Sequence, residues 1–281
     1  MKLFLPSFLA TLPLLASCHV LRPRSQRRVC GNENLEIPEE LRTLPSRLAA
    51  GANVTADNVS ATIPTYFHVV SSQANENMVT DEMVADQLSV MNANYAGTGF
   101  SFSLVATDRT VNDKWASQQA DSAMQKALRQ GTYSSLNMYF MTDLPSPLLG
   151  QCVFPQNNPT AAVIAKDGCE ILASTMPGGS KEQYNLGLTV VHEVGHWLGL
   201  FHPFQGQSCS GDGDSVSDTP WQSTPTYNCP EVGSKDSCPD APGVDGVNNY
   251  MDYVDDACMN SFTPGQIARA GSVYIAMRAG K

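Results

Sequence analysis

The chain has 281 residues, 42% of them hydrophobic and 16% charged, with a formal net charge of −10. That length allows one good-sized domain with accessory segments, or two small ones, and the composition excludes a low-complexity or disordered chain for most of it. The negative charge repels phosphate backbones and sets nucleic acid aside as a partner.

At the N-terminus, Lys2 is followed by an apolar stretch over residues 3–16 that Pro6 and Pro13 interrupt, ending in the small residues Ala16, Ser17 and Cys18. Residues 1–18 read as a secretory signal, too short to span a bilayer comfortably. Leu15-Ala16-Ser17-Cys18 also satisfies a bacterial lipoprotein box, which is the alternative reading. No later apolar stretch reaches membrane-spanning length, so the expected product is secreted, extracellular and soluble. Residues 19–60 carry Arg22, Arg24, Arg27 and Arg28 in an otherwise acidic chain. They read as a pro-segment, or else as an N-terminal arm packed on the domain. Asn53-Val54-Thr55 and Asn58-Val59-Ser60 are glycosylation sequons that place glycans on Asn53 and Asn58 if the host is a eukaryote.

The main domain is expected over residues 61–281. Residues 66–70 read as a strand. Thr80 caps a helix whose first turn holds Asp81 and Glu82 and whose apolar positions are Met83, Leu88, Met91 and Tyr95. Residues 100–105 alternate as a strand, 113–128 read as one helix, 136–141 as a strand and 162–165 as a further strand. A helix over 186–198 carries two histidines. A long loop-rich stretch with Gly, Pro, Asp and four cysteines follows, and Thr263-Pro264 opens a last helix running to about residue 277. The pattern is an α+β domain whose second half is held more by crosslinks than by core. Eight cysteines fit an oxidising compartment. With Cys18 at the expected cleavage site an odd number remains, and spacing alone does not choose among the possible pairings.

The chemistry is concentrated in His192-Glu193-Val194-Gly195-His196-Trp197-Leu198-Gly199-Leu200-Phe201-His202. A step of four residues turns an α-helix by about 400°, so the imidazoles of His192 and His196 leave one face a turn apart. Glu193 is rotated by about 100° from His192, where it reaches a water on a shared metal without ligating that metal. His202 is too far along a straight helix to join them, but Gly199 can adopt the left-handed conformation that ends the helix and brings His202 back. Three neutral imidazoles with an open fourth position make a catalytic rather than a structural Zn²⁺ site. His68 in its strand is expected to be a packing residue, and His19 to lie near a processed end.

The extended pattern resembles the metzincin zinc peptidases, and Asn248-Asn249-Tyr250-Met251-Asp252-Tyr253 resembles their Met-turn, with Met251 beneath the metal. Within that group the chain is similar to the pappalysin family, especially its small secreted fungal and microbial members. The similarity spans about residues 60–281 and rests also on His202-Pro203-Phe204-Gln205-Gly206, Asp218-Thr219-Pro220 and the run from Cys258 to Gln266. Pro203 and Gln207 depart from the usual Thr and Gly, which concerns the shape of that loop.

The resemblance implies a metzincin-like zincin domain: a mixed twisted β-sheet, an active-site helix, and a disulfide-stabilised, loop-rich C-terminal half ending in a helix. It implies a monomeric secreted zinc endopeptidase acting on proteins or peptides, with Glu193 as general base and Tyr253 hydrogen-bonding the oxyanion. It also implies the pairs Cys152–Cys169, Cys209–Cys238 and Cys229–Cys258, leaving Cys30 to silence a zymogen by binding the zinc. Asp212, Asp214 and Asp218 offer hard oxygen ligands for a structural Ca²⁺ of the kind the family carries nearby, or else form a solvated acidic loop. Asp255 and Asp256 are expected to line a primed-side pocket that favours a basic residue. The alternative function is an inactive zinc- or calcium-bound binding or adhesion module, against which the intact Glu193 argues.

Overall fold

The computed structural model describes residues 27–34, 37–49 and 59–281. The expected signal segment, Cys18, His19, Arg22, Arg24 and both sequon asparagines lie outside the described residues. Five strands form one mixed sheet: β1 Ala61–Ser71, β2 Phe100–Val111, β3 Leu136–Met141, β4 Gly150–Cys152 and β5 Cys169–Leu172, in the order β2-β1-β3-β5-β4. All neighbours are parallel except β4, which runs antiparallel to β5. β3 sits in the middle and is buried at every position, whereas β2 at the edge alternates toward solvent as its Phe-Ser-Phe-Ser pattern dictates. Pro64 is tolerated inside β1 because the ladder to β3 begins only at Thr65.

Helices cover both faces of the sheet. On one side α2 (Asp81–Asn94), capped by the Thr80 hydroxyl, packs with α6 (Leu188–Trp197) around Phe67, Met138, Phe140 and Ile171. On the other, the short helices α3 (Asp113–Ala116) and α4 (Asp121–Leu128) pack Ala116 and Met124 against Val70, Tyr139 and Met141. The single helix expected over 113–128 is therefore broken. Gln118 takes a positive φ of 59° at the break, and its amide reaches the buried Glu170 carboxylate on β5 at 2.8 Å. That tertiary contact outweighs the local helical pattern. Residues 162–165 are not a strand: Thr160 caps a short helix, α5 (Ala161–Ile164), since a short apolar run does not distinguish strand from helix. β4 and β5 have only three and four residues, too few for an alternation to show.

Helix α1 (Glu39–Ala49) packs Leu41 and Leu44 against Val273 and Met277 of the C-terminal helix α7 (Pro264–Met277). A capping box between Thr263 and Gln266 starts α7. Beyond the end of α7, Arg278 is fully buried. It grips Asp167 through two nitrogens at 2.8 and 3.0 Å, donates to the Trp197 carbonyl at 3.0 Å, and stacks 3.7 Å from the Trp197 ring centroid. This knot fixes the far end of α6. Arg278→Ala is expected to lower stability by about 3 kcal/mol, the low end for breaking a buried pair, because Arg129 remains 3.6 Å from Asp167. Urea unfolding midpoints would read the loss.

From residue 201 to 262 the chain is mostly turns, crosslinked by Cys209–Cys238 and Cys229–Cys258, while Cys152–Cys169 joins β4 to β5. Among the described residues no helix is long and apolar enough to cross a membrane.

Candidate metal centre

Every residue of α6 is buried, so its polar side chains must find partners inside the protein. The Nδ1 of His192 donates to the Tyr250 carbonyl at 2.8 Å, and that of His196 to the Leu200 carbonyl at 2.8 Å. These bonds fix the tautomer and leave each Nε2 with a free lone pair. The helix ends in a Schellman turn. Gly199 N–H reaches His196 O at 2.8 Å and Leu200 N–H reaches Gly195 O at 2.9 Å, with Gly199 at φ +89°. A Cβ there would also stand 2.7 Å from Val273, so only glycine makes the turn. The turn delivers His202.

The three Nε2 atoms lie 3.1, 3.2 and 3.3 Å from one another. Nitrogens about 2.0–2.1 Å from a tetrahedral ion are separated by roughly 3.3 Å, so the donors fit zinc in number, type and spacing. Burial pushes His196 down to about 4 and holds His192 and His202 well below the usual imidazole range. All three stay neutral, the form that ligates. The free thiol of Cys30 completes the cluster, its Sγ and the three imidazole donors all lying within 4.8 Å of one another.

Glu193 projects beside this cluster, 3.4 Å from the Cys30 sulfur. Burial raises its carboxyl to about 8, opposed by the Cys30 contact and by the charge of Arg28. β4 runs directly against it: a Cβ on Gly150 would fall 2.8 Å from Glu193 Cγ. Met251 lies beneath the helix with its sulfur on Gly195, where any side chain would collide with it. Tyr253 packs near His192 and His202, and its hydroxyl accepts the Cys30 N–H at 3.2 Å. Asp252 ties the Met-turn to the neighbouring loop by accepting from Thr226 N–H at 2.9 Å and from the Gln222 amide at 3.0 Å.

With Arg28 in place, Asp256 does not line an open pocket beside Asp255; it is buried, accepting from Leu186 N–H at 3.0 Å and from Leu188 N–H, at the first residue of α6, at 3.3 Å, and pairing with Arg28. The pairing was not legible because Arg28 is a distant stretch of chain. Nor do Asp212, Asp214 and Asp218 converge: among the described residues the histidine–cysteine cluster is the one place where three or more such donors meet. Asp218 instead accepts from Thr263 Oγ1 at 2.7 Å and Gly265 N–H at 2.8 Å at the head of α7, Asp214 is buried, and Asp212 is exposed. Burial lifts Asp214 from 3.8 to about 7. A carboxyl raised on folding keeps its proton between those values, so its contribution to stability falls as pH rises through that window. Asp214→Asn should therefore raise Tm relative to the parent more at pH 8 than at pH 5. A variant less stable at pH 8, with a parent that chelator destabilises, would mark Asp214 as a cation ligand instead.

A mixed sheet over a helix that presents two imidazoles and a carboxylate, with a third imidazole after a glycine turn and a methionine below, defines a metzincin-type zinc metalloprotease. The family profile described as pregnancy-associated plasma protein-A, peptidase M43, matches residues 121–274. An extracellular metalloprotease of Pyricularia oryzae is 47% identical over 251 residues, covering 89% of this chain and 87% of its own. One from Colletotrichum graminicola is 52% identical over 235 residues, covering 83% and 80%. Among solved structures, a mutant promirolysin of Tannerella forsythia superposes with a TM-score of 0.68 at 27% identity, covering 88% of this chain and 94% of that one. Mature mirolysin in complex with a cleaved peptide gives 0.62 at 27% identity, over 78% and 97%. The chain belongs to the pappalysin family of metalloproteases.

Proposed function

We propose that the protein is a secreted endopeptidase that hydrolyses peptide bonds of extracellular proteins, made as a zymogen that residues 27–34 keep silent. The observation that carries the reading is the convergence of three neutral imidazoles beside a buried carboxylate. The extracellular names of the relatives support secretion, and the peptide held by mature mirolysin supports a peptide substrate.

His192, His196 and His202 would hold the zinc, which would supply Lewis acidity to the attacking water and the scissile carbonyl. Glu193 takes the proton of the attacking water and hands it to the departing amine. Its raised affinity for protons suits both halves of that cycle. Tyr253 turns its hydroxyl, which meets the Cys30 N–H in this state, toward the oxyanion once the segment leaves. The outer edge of β4, against Glu193, receives the substrate backbone as an added strand.

Cys30 holds its sulfur where the water belongs, and the Arg28 guanidinium occupies the Asp256 carboxylate. Departure of Arg28 leaves Asp256 to receive a basic side chain of the substrate. The test is casein hydrolysis with and without phenanthroline. Activity is expected to vanish with the chelator, to return with added zinc, and to yield products cut beside Lys or Arg. Chelator-resistant cleavage would remove the assignment, and cuts beside aliphatic residues would remove only the role of Asp256.

A further inference from the structure

The segment that crosses the site grips β4 in two chemically different ways. Through its backbone it adds a short parallel stretch: the Val29 carbonyl accepts the Leu149 N–H at 2.9 Å, and Cys30 forms a parallel bridge with Gly150. The ladder then stops, because the chain turns at Gly31 into the 3-10 turn Gly31–Asn34. The next grip is by a side chain. Asn32 Oδ1 accepts the Cys152 N–H at 2.9 Å, and Asn32 Nδ2 donates to the Cys152 carbonyl at 2.7 Å. Val153, the next residue, turns its N–H the other way, to Gly168 on the β5 side at 3.1 Å. Cys152 therefore offers both its main-chain groups on the free outer edge, and one carboxamide takes both.

A primary carboxamide presents a donor and an acceptor in the arrangement of a peptide unit. An open strand edge selects for that pair of groups. Unlike a peptide unit, the Asn side chain contains no bond whose cleavage would cut the main chain. The turn that brings it there is itself built in. A Cβ on Gly31 would lie 2.8 Å from the Cβ of Gln151, and the Gln151 amide is held by Glu170 at 2.8 Å, so the residue after Cys30 must be glycine for the chain to drop this close. Asn32 is buried, and the disulfide from Cys152 to Cys169 fixes the edge that it reads.

We propose that Asn32 is a second lock of the latent state, a side-chain mimic of a peptide unit that occupies the Cys152 edge of β4 where the substrate backbone docks. This rests on the reading of residues 27–34 as an inhibitory segment. The thiol blocks the metal and Asn32 blocks the strand, and the two touch: the Cys30 Sγ donates to Asn32 Oδ1 and accepts the Asn32 N–H, each at 3.4 Å.

The test uses the full unprocessed chain. In a Glu193→Ala background, which cannot cut itself, Asn32→Ala should speed amide hydrogen exchange at Cys152 by about tenfold; unchanged exchange overturns the proposal. In the active background, a quenched peptide reads basal hydrolysis. Cys30→Ala should release part of the activity, and the Cys30→Ala/Asn32→Ala pair about tenfold more. A double variant no more active than Cys30→Ala overturns the second lock. A parent and Cys30→Ala that are equally silent, with exchange at Cys152 still dependent on Asn32, would instead remove the thiol's role. Asn32→Asp keeps the size and the acceptor but faces a carboxylate toward the Cys152 carbonyl. It should behave as Asn32→Ala, and parent-like silence would overturn the mimicry.

Discussion

Glu193→Gln is expected to leave one zinc bound per chain and to lower kcat/KM by about 10³–10⁴-fold, the upper range for loss of a general base. The geometry explains both halves of that result. Glu193 is one residue beyond His192 and therefore points off the ligating face of α6, so its removal takes nothing from the three imidazoles. Its carboxylate lies 3.4 Å from the sulfur that completes the metal cluster, which is where a water would stand once the segment has gone. Glutamine keeps the shape against Gly150 but cannot accept the proton. Full activity of the variant would refute the assignment of the base, and loss of zinc would show that the carboxylate supports the site rather than the reaction.

The second large effect concerns silence rather than speed. Cys30→Ala in the unprocessed chain is expected to raise basal hydrolysis of a peptide by at least about tenfold and to shorten the lag before full activity. A thiolate is a better zinc ligand than water, and each ~1.4 kcal/mol taken from the closed state opens ten times more sites. Burial and the nearby Glu193 carboxylate hold the thiol's proton tightly, well above its ordinary range. A zinc ion held by the three imidazoles would make thiolate the favoured form there. An unchanged lag would leave Cys30 as a packing residue between Phe204 and Tyr253.

What the sequence disclosed followed from the range of the forces involved. The spacing of His192, Glu193 and His196 is a property of one helix, and Gly199 signals the end of that helix. Those positions are legible without neighbours. Met251 and Tyr253 became visible only through resemblance, since nothing within a few residues of either marks it as lying at a site built about fifty residues earlier. Asp256 shows the opposite failure. An acidic residue in a loop resembles a pocket carboxylate, yet whether it faces solvent depends on Arg28, a side chain 228 positions away. Asn32 left no signal at all, because a buried asparagine at a strand edge has no local pattern. The short strands β4 and β5 were missed for a related reason: a three-residue edge strand exists through its partners, not through its own alternation.

X-ray absorption at the zinc edge of the purified chain, before and after removal of its N-terminal segment, tests the central claim most directly. The unprocessed protein should show three nitrogens at about 2.0–2.1 Å and one sulfur at about 2.3 Å, and the processed enzyme should keep the nitrogens while the sulfur gives way to oxygen. A fully active enzyme without zinc, or with fewer than three imidazoles around the metal, would contradict it.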